Sequence, residues 1–404
     1  MTADRITRLL GPRLADIEAR GLYRRRRVVE AAGPAGRLVV DGRSCTGFCS
    51  NDYLGLAQDP RIAEAFAKAA RATGAGSGAS HLVTGHHREH HHLEEVLAAF
   101  TGRERALAFS TGYMANLGLA RALAGPGDAV FEDRLNHASL LDAGRLAGAE
   151  FVRFGHANAA ALDAALGEHP RGLRLVLTDG VFSMDGDLAP LPDVVAACER
   201  HDALLAVDDA HGLGVIGPTG RGIVEHFGLG AVEVPALVGT LGKAFGSFGA
   251  FVAGDEALVE YLIQRARTYI YTTALPPAVA AATRRAIEIA EAEPWRRQRV
   301  LAHAARFRRL AAAAGIELTP SDTPIQPVVL GEPQLAVAAS AALLERGYLV
   351  TAIRPPTVPP GTSRLRVTFS AAHQDSDVDR LVAALAEVLA SLPAEPAQVP
   401  ARHG

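Results

Sequence analysis

The sequence predicts an α/β protein in which a large domain with a mostly parallel sheet precedes a smaller α+β domain. From about residue 90 to about residue 290, short apolar runs alternate with helical patterns, which is typical of a parallel sheet with helices on both faces. After about residue 290, helical stretches dominate and two strand-like runs separate them. A chain of 404 residues also exceeds what one hydrophobic core usually supports, which favours two domains.

We expect four segments in chain order. Residues 1–45 comprise an N-terminal helix, over about residues 1–30, and a connecting segment. Residues 46–290 form the large domain, and residues 291–392 form the small C-terminal domain. Residues 393–404 are rich in Pro and Ala and are expected to be disordered.

The strands are predicted from short apolar runs that end in polar or glycine-rich turns. A β segment with a turn at Asp41-Gly42 precedes the sheet of the large domain. The runs expected to form that sheet are residues 106–110, 129–133, 173–183, 203–212, 236–241 and 250–254. The runs expected in the small domain are residues 324–330 and 363–370, before a final helix.

Composition and charge exclude several classes of protein. A net charge of −3 argues against a nucleic-acid binder that works through bulk electrostatics. No apolar run approaches the ~18 residues of a membrane span, and the charged N-terminus predicts an amphipathic helix instead of a signal peptide. The basic run Arg24–Arg27 fits a solvated helix end. Cys45 and Cys49 lie too far apart on a strand for a disulfide, so we expect a reduced, cytoplasmic protein.

We interpret two sequence motifs as not forming ligand-binding sites. The letters of Gly212–Gly217 match the dinucleotide fingerprint G-x-G-x-x-G, but the proline and glycines that follow do not permit the helix that the fingerprint requires. The histidine-rich run His86–His92 pairs histidines at i,i+4 if it is helical. Because no cysteine or carboxylate set completes a closed site nearby, we expect a polar helix start and no metal.

Polar residues cluster where the predicted strands end. Open parallel sheets bind ligands beyond the carboxyl ends of their strands. The strand that ends at Ser110 leads into a helix, whose first amides suit a phosphate group. Another strand ends at Asp208, three residues before His211, and a further strand ends at Thr240. We therefore expect these strand ends to surround one ligand.

Lys243 lies in an apolar, glycine-rich stretch of a chain that contains few lysines. Two interpretations are open from the local sequence: a lysine paired with a buried carboxylate, or a lysine that forms a Schiff base. Desolvation makes a lysine lose its proton more easily, which suits Schiff-base formation. Pyridoxal phosphate (PLP) enzymes need such a lysine together with an acidic partner for the pyridine nitrogen, and Asp208 fits that need.

Nine segments, in order over roughly residues 20 to 390, resemble the α-oxoamine synthase family of fold-type I PLP-dependent enzymes. They are residues 50–56, 76–85, 109–118, 133–146, 178–191, 207–222, 239–251, 271–277 and 352–373. The resemblance implies the fold-type I transferase architecture and a homodimer with its active site at the subunit interface. It also implies a decarboxylative condensation of an amino acid with an acyl thioester.

The resemblance implies cofactor roles for particular residues. Lys243 would hold PLP and later act as acid and base at the amino acid Cα. Asp208 would pair with the pyridine nitrogen, and His211 would hydrogen-bond the phenolic oxygen. His137 would stack on the ring and polarise the thioester carbonyl. The other residues expected to bind PLP are Gly112, Tyr113, Ser183 and Thr240, with Thr272 and Thr273 reaching the phosphate in the neighbouring subunit.

The resemblance also implies substrate contacts. Arg354 is expected to bind the amino acid carboxylate through its planar guanidinium, with Thr357 in the same loop. Asn51 is expected to point toward the amino acid. One arginine of the basic run, Arg24 or Arg25, matches a family arginine that contacts substrate.

The segment Arg354–Pro359 resembles the branch of the family that condenses L-alanine with a pimeloyl thioester in biotin biosynthesis. The acyl group would arrive on acyl carrier protein or on coenzyme A, and the sequence leaves both open. The alternatives within the family are glycine with acetyl-CoA, glycine with succinyl-CoA, and serine with a fatty acyl thioester. A non-catalytic partner subunit is disfavoured, because such subunits typically lose the lysine that this chain retains.

Overall fold

The computed structural model describes residues 2–169 and 171–393. The described α-helices are α1 (Thr2–Ala19), α2 (Pro60–Thr73), α3 (Arg88–Thr101), α4 (Gly112–Leu123), α5 (Ala138–Ala147), α6 (Ala159–Glu168), α7 (Leu191–Arg200), α8 (Ile223–His226), α9 (Glu256–Arg265), α10 (Arg267–Ile270), α11 (Pro277–Ala292), α12 (Trp295–Ala313), α13 (Pro333–Glu345) and α14 (Asp375–Ser391). None of these described helices is long and apolar enough to cross a membrane.

The described strands form three sheets. They are β1 (Val29–Ala32), β2 (Arg37–Val40), β3 (Arg43–Gly47), β4 (Arg105–Phe109), β5 (Ala129–Asp133), β6 (Glu150–Phe154), β7 (Arg174–Asp179), β8 (Leu204–Asp208), β9 (Ala236–Thr240), β10 (Ala250–Gly254), β11 (Ile325–Gly331), β12 (Tyr348–Leu349), β13 (Thr351–Ile353) and β14 (Ser363–Thr368). The domain boundaries after residues 45 and 290 stay predictions. Residues 394–404 of the predicted tail lie outside the described residues.

The central sheet has the strand order β4-β10-β9-β8-β7-β5-β6. Strands β5 to β9 are parallel to one another, and β10 runs antiparallel to both of its neighbours, β4 and β9. The prediction of a mostly parallel sheet is therefore confirmed. Because β4 points the same way as β9, the carboxyl ends of β4 to β9 meet at one edge of the sheet.

Both faces of the central sheet are buried. Along β4, Ala106 and Ala108 belong to one apolar cluster, whereas Leu107 and Phe109 belong to a second cluster on the other face. Strands β7, β8 and β10 alternate in the same way, since successive side chains of a strand point to opposite faces. Burial on both faces explains why these strands are continuous apolar runs in the sequence.

The predicted turn at Asp41-Gly42 joins β2 to β3. Both residues have positive φ, 48° at Asp41 and 76° at Gly42, as the two central residues of a type I′ hairpin turn require. β3 then pairs in parallel with the short strand β12, about 300 residues later in the chain. The sheet β1-β2-β3-β12 therefore fastens the N-terminal segment to the C-terminal region, next to the antiparallel sheet β11-β14-β13.

The helix predicted over residues 1–30 is wrong beyond Ala19. Gly21 adopts a left-handed conformation, with φ of 67°, which ends the helix. The basic run Arg24–Arg27 is therefore exposed irregular chain between α1 and β1, and not a helix end.

Strands β1, β6, β12 and β13 are absent from the sequence prediction. β6 lies at the edge of the central sheet, where Glu150 and Arg153 are exposed, so its sequence lacks a continuous apolar run. β12 and β13 are only two and three residues long. Short and edge strands carry a weak pattern because packing on one side alone constrains their residues.

The glycine motif Gly212–Gly217 follows β8 without a helix opening inside it. The chain makes turns over these residues, and the next helix, α8, begins at Ile223. A dinucleotide site needs a helix N-terminus inside the motif to receive the pyrophosphate. The described structure therefore agrees with the interpretation that this motif binds no dinucleotide.

Candidate active site

The loops after β4, β5, β7, β8 and β9 converge on a cavity of about 190 Å³ at the carboxyl edge of the central sheet. Eight residues were expected to contact the cofactor within one subunit, and all eight line this cavity: Gly112, Tyr113, His137, Ser183, Asp208, His211, Thr240 and Lys243. The cavity is also lined by Ser139, Asp179 and Ala210. The sheet topology thus brings together side chains that are up to about 130 positions apart.

The amine of Lys243 is buried in this cavity. Its Nζ lies 2.9 Å from Nε2 of His211. Burial lowers the pKa of Lys243 to about 8, and the charge of Arg366 acts in the same direction, whereas Asp208 and Asp179 oppose it. A large fraction of Lys243 is therefore neutral near pH 8, in the form that attacks a carbonyl carbon.

A chain of hydrogen bonds orients His211. Its Nδ1 lies 2.6 Å from the hydroxyl of Tyr53, and that hydroxyl donates to Oδ1 of Asn51 at 3.3 Å. Arg366 donates from Nη1 to the same Asn51 oxygen at 3.2 Å. Burial and the charge of Lys243 hold the pKa of His211 well below its ordinary value, so the imidazole is neutral.

Asp208 is a buried carboxylate with fixed partners. Its Oδ2 accepts from the side-chain amide of Asn116 at 2.7 Å, and its Oδ1 accepts from the backbone N–H of Ala210 at 3.1 Å. Asp179 lies beside it in the register of β7 and β8. Burial, followed by the charge of Asp208, holds the pKa of Asp179 well above its ordinary value. Of these two neighbouring carboxyl groups, Asp179 is therefore the one whose protonated form is favoured.

His137 is the N-cap residue of α5 and faces the cavity. Its backbone N–H donates to Oδ2 of Asp179 at 2.6 Å, and its ring Nδ1 accepts from the backbone N–H of Ser139 at 3.3 Å. Burial lowers the pKa of His137, so the ring is neutral near pH 7. Because Nδ1 accepts, the ring proton belongs on Nε2, which can donate to a group in the cavity.

The start of α4 supplies backbone donors. Thr111 caps this helix by accepting from the backbone N–H of Met114 at 3.2 Å, and Gly112 is the first helical residue. Unpaired N–H groups and the helix dipole make such a terminus favourable for an anion. Gly112 leaves the space next to its backbone open, since a Cβ there would meet nothing within 4 Å.

Arg354 and Thr357 do not line the Lys243 cavity. They line a second cavity, of about 280 Å³, together with Arg24 and Arg25. Arg354 donates to the backbone oxygens of Gly21 and Tyr23. Burial and the nearby charge of Arg24 lower the pKa of Arg354. This second cavity therefore gathers positive charge.

Thr272 and Thr273 line neither of these two cavities. They follow Tyr271, whose side chain is 70% exposed, at the end of α10. Their placement on the surface of one chain is compatible with the expected contact to a neighbouring subunit, and that contact stays a prediction.

Sequence reasoning missed several residues of the site. Arg366 is 7% exposed, donates from Nε to the backbone oxygen of Ser183 at 2.5 Å, and contacts Asn51. Strand 363–368 alternates polar or charged residues with Leu365 and Val367, so its sequence did not distinguish Arg366 from Arg364. Asp179 ends β7 as Asp208 ends β8, so the strand-end rule would have found it. Tyr53 and Asn116 act through contacts with residues far away in the chain, which the local sequence does not reveal.

The residues around the cavity fit PLP. A lysine amine, a buried carboxylate and a free helix N-terminus face one space at the sheet edge, and these are the groups that bind its aldehyde, its ring nitrogen and its phosphate. Lys243, Asp208 and Gly112 would hold those three parts in that order. The chemistry of the donor set is therefore that of a PLP site.

Comparison with known proteins defines the class first. Residues 43–385, most of the chain, match the family of class I and II aminotransferases. A solved structure of serine palmitoyltransferase from S. paucimobilis with a bound PLP–myriocin aldimine has a TM-score of 0.90 and 32% identity, and the match covers 95% of this chain and 97% of that one.

More similar sequences define a narrower group. The 8-amino-7-oxononanoate synthase of Methylococcus capsulatus is 61% identical over 376 residues, which are 93% of this chain and 97% of that protein. A solved structure of the 8-amino-7-oxononanoate synthase from Francisella tularensis has a TM-score of 0.76 and 30% identity over 86% of this chain and 98% of that one. The chain belongs to the class I and II aminotransferase family and, within it, to the family of 8-amino-7-oxononanoate synthases.

Proposed function

We propose that this chain uses PLP to condense L-alanine with a pimeloyl thioester, releasing 8-amino-7-oxononanoate, CO2 and the free carrier in biotin biosynthesis. The observation that carries the choice of substrates is the 61% identity, over nearly all of both chains, to a protein named for that product. The cavity around Lys243 supports the choice of cofactor.

Bound PLP supplies an electron sink that stabilises negative charge on the amino acid Cα. Lys243 holds the cofactor and, when its Nζ is free, removes the Cα proton and later returns it. The lowered pKa of Lys243, about 8, suits both directions of this transfer near neutral pH. Asp208 would pair with the pyridine nitrogen, and its carboxylate is held in position by hydrogen bonds from Asn116 and Ala210.

Arg366 is the residue that we assign to the carboxylate of L-alanine. Its guanidinium is buried next to Asn51 and Ser183, and its charge reaches Lys243. His137 donates from Nε2 to the thioester carbonyl, which favours attack on that carbon. Arg354 was expected to bind the amino acid carboxylate, but its place in the second cavity favours the acyl donor instead.

The protein is proposed to act as a cytoplasmic homodimer. The exposed Tyr271 and the adjacent Thr272 and Thr273 would then contact a neighbouring subunit. The acyl group is proposed to arrive on acyl carrier protein or on coenzyme A. The exposed Arg24 and Arg25 beside the second cavity would suit a phosphate or carboxylate of either donor.

The cofactor assignment is tested by trapping. Purified protein should be yellow, and borohydride reduction followed by peptide mapping should mark Lys243 with the reduced cofactor. Lys68 is the other lysine of the chain, so Lys68→Arg is a matched control that should leave the label in place. Lys243→Ala should abolish the labelling by the reduced cofactor. A colourless wild-type protein that takes up no PLP would contradict the proposal.

A further inference from the structure

A second group of ligand-type side chains lies at the start of α3, outside the Lys243 cavity. His86, His91 and Glu94 each offer one ligand atom, and these atoms lie within 4.8 Å of one another. The helix begins at Arg88, so His86 is not on it and does not pair with His90 in the i,i+4 manner expected from the sequence. A carboxylate, that of Glu94, therefore lies beside two of the histidines, although three ligands do not complete a closed site.

His86 is oriented for binding through Nε2. Its Nδ1 lies 3.0 Å from Nδ1 of His81, so one of these two nitrogens donates to the other. When His86 is the donor, its Nε2 carries a lone pair, and this atom lies 4.0 Å from Oε2 of Glu94. His81 is buried and stacked on Tyr269 at 4.7 Å, which fixes the position of His86. A hydrogen bond on the far nitrogen is how proteins orient histidine ligands.

Glu94 and His91 come from one face of α3, three residues apart. Glu94 is held by its Oε1, which accepts from the backbone N–H of Ala108 at 2.9 Å, and this leaves Oε2 toward His86. The side chain of His91 is 65% exposed and its Nε2 lies 3.4 Å from Glu95. An exposed side chain can change rotamer at little cost, so His91 can close on the other two.

His90 does not belong to this set. Its Nδ1 accepts from the backbone N–H of His87 at 2.9 Å, and its Nε2 lies 2.7 Å from the backbone oxygen of Leu275. Both ring nitrogens are therefore in use, and a group made of His81, His86 and His90 would break one of these two buried hydrogen bonds. The set that contains Glu94 breaks only the exposed contact of His91.

We propose that His86, His91 and Glu94 bind a divalent cation of the zinc type, with a fourth position open to water. Two imidazoles and one carboxylate suit zinc and exclude magnesium and calcium, which prefer all-oxygen sites. Tetrahedral coordination needs ligand atoms ~3.4 Å apart, so distances of up to 4.8 Å must shorten by up to about 1.4 Å. Rotation of His91 shortens its own two distances, and Nε2 of His86 and Oε2 of Glu94, which lie 4.0 Å apart, must approach by about 0.6 Å. The ion would fasten the turn at His86 to α3. This inference does not depend on the proposed function.

The test is calorimetric titration of the untagged, PLP-loaded, full-length protein with zinc chloride. Wild type should bind one equivalent, and magnesium chloride should give no signal. His91→Gln should weaken zinc binding by roughly tenfold or more. His91 is exposed and distant from the core, so this variant should fold as wild type does. His92→Gln, next to it on α3, is the matched control and should bind as wild type does.

Three results would overturn the inference. They are a wild type that binds no zinc, a His91→Gln variant that binds it as tightly as wild type, and a His92→Gln variant that loses it equally. Cobalt substitution checks the ligand type independently, since a thiolate charge-transfer band would assign the ion to a cysteine such as Cys49 and contradict the proposed set.

Discussion

At Lys243, burial and neighbouring charges act on the pKa in opposite directions. Burial and Arg366 favour the neutral amine, whereas Asp208 and Asp179 favour the ammonium. Burial has the largest effect, and the pKa falls to about 8. The same surroundings keep His211 neutral, so the amine has a neutral neighbour at 2.9 Å.

This pKa predicts how cofactor uptake depends on pH. Only the neutral amine attacks the aldehyde of PLP, so in the cofactor-free protein the rate of uptake should rise with pH and level off above about 8. Stopped-flow absorbance of the bound cofactor measures it. A rate that keeps rising toward ~10.4, the pKa of an ordinary lysine, would contradict the assigned environment of Lys243.

The roles assigned to Arg366 and Arg354 predict different effects of their substitution on steady-state kinetics. Arg366→Gln should raise KM for L-alanine by roughly tenfold to a hundredfold, because a hydrogen bond to a charged group contributes about 1.5–3 kcal/mol. Arg366→Lys should recover part of the loss, since it keeps the charge but not the planar fork. Arg354→Gln should raise KM for the acyl donor instead. If Arg354→Gln alone raised KM for L-alanine, the carboxylate would belong to Arg354.

At the level of single elements, the N-terminus of α4 is both a helix end and part of the site. Thr111 caps it, and Asn158 caps α6 in the same way, by accepting from the backbone N–H of Ala161 at 2.9 Å. Of these two helices, α4 begins at the Lys243 cavity and α6 does not. Comparing variants of the two cap residues therefore distinguishes an effect on helix stability from an effect on cofactor binding.

Replacing either cap residue by alanine should cost about 1 kcal/mol of stability. Thr111→Ala should in addition weaken PLP binding several-fold, because the amides that receive the phosphate lose their fixed geometry. Asn158→Ala should leave PLP affinity unchanged. Thermal unfolding and the dissociation constant of PLP measure the two effects. Equal PLP affinity of both variants would mean that the N-terminus of α4 does not bind the cofactor.

Several elements were readable from the sequence and others were not, for physical reasons. Strands such as β8 and β10 are buried on both faces, so their residues are apolar without interruption. The edge strand β6 exposes Glu150 and Arg153 and loses that pattern. β12 is defined by pairing with β3, about 300 residues away, which no local pattern encodes.

Some residues of the candidate active site were likewise predictable from the sequence, and others were not. Asp208, His211 and Lys243 follow strand ends, and the parallel topology guarantees that strand ends meet. Arg366 reaches the cavity from β14 through Asn51, a contact between residues 315 positions apart. Such contacts depend on how the C-terminal region packs on the sheet, and the sequence holds no local sign of that packing.

At the scale of the whole molecule, the proposed dimer predicts complementation between inactive variants. In a mixed dimer, Lys243→Ala in one subunit and the double variant Thr272→Ala/Thr273→Ala in the other would damage the same site, leaving the second site intact. Mixing them after mild dissociation should restore about a quarter of wild-type activity at limiting PLP, because half of the dimers are mixed and each has one good site. Lys243→Ala with Asp208→Ala is the control. Both changes lie in one cavity, so that mixture should stay inactive, and equal inactivity of both mixtures would contradict a shared site.

The central claim concerns the pair of substrates, and a substrate matrix tests it most directly. L-Alanine, glycine and serine are each combined with pimeloyl, acetyl, succinyl and palmitoyl thioesters, and kcat/KM is measured together with product mass and CO2 release. We predict the highest kcat/KM for L-alanine with the pimeloyl thioester, with 8-amino-7-oxononanoate and one CO2 formed per turnover. A clear preference for glycine with acetyl-CoA, or for serine with palmitoyl-CoA, would contradict it.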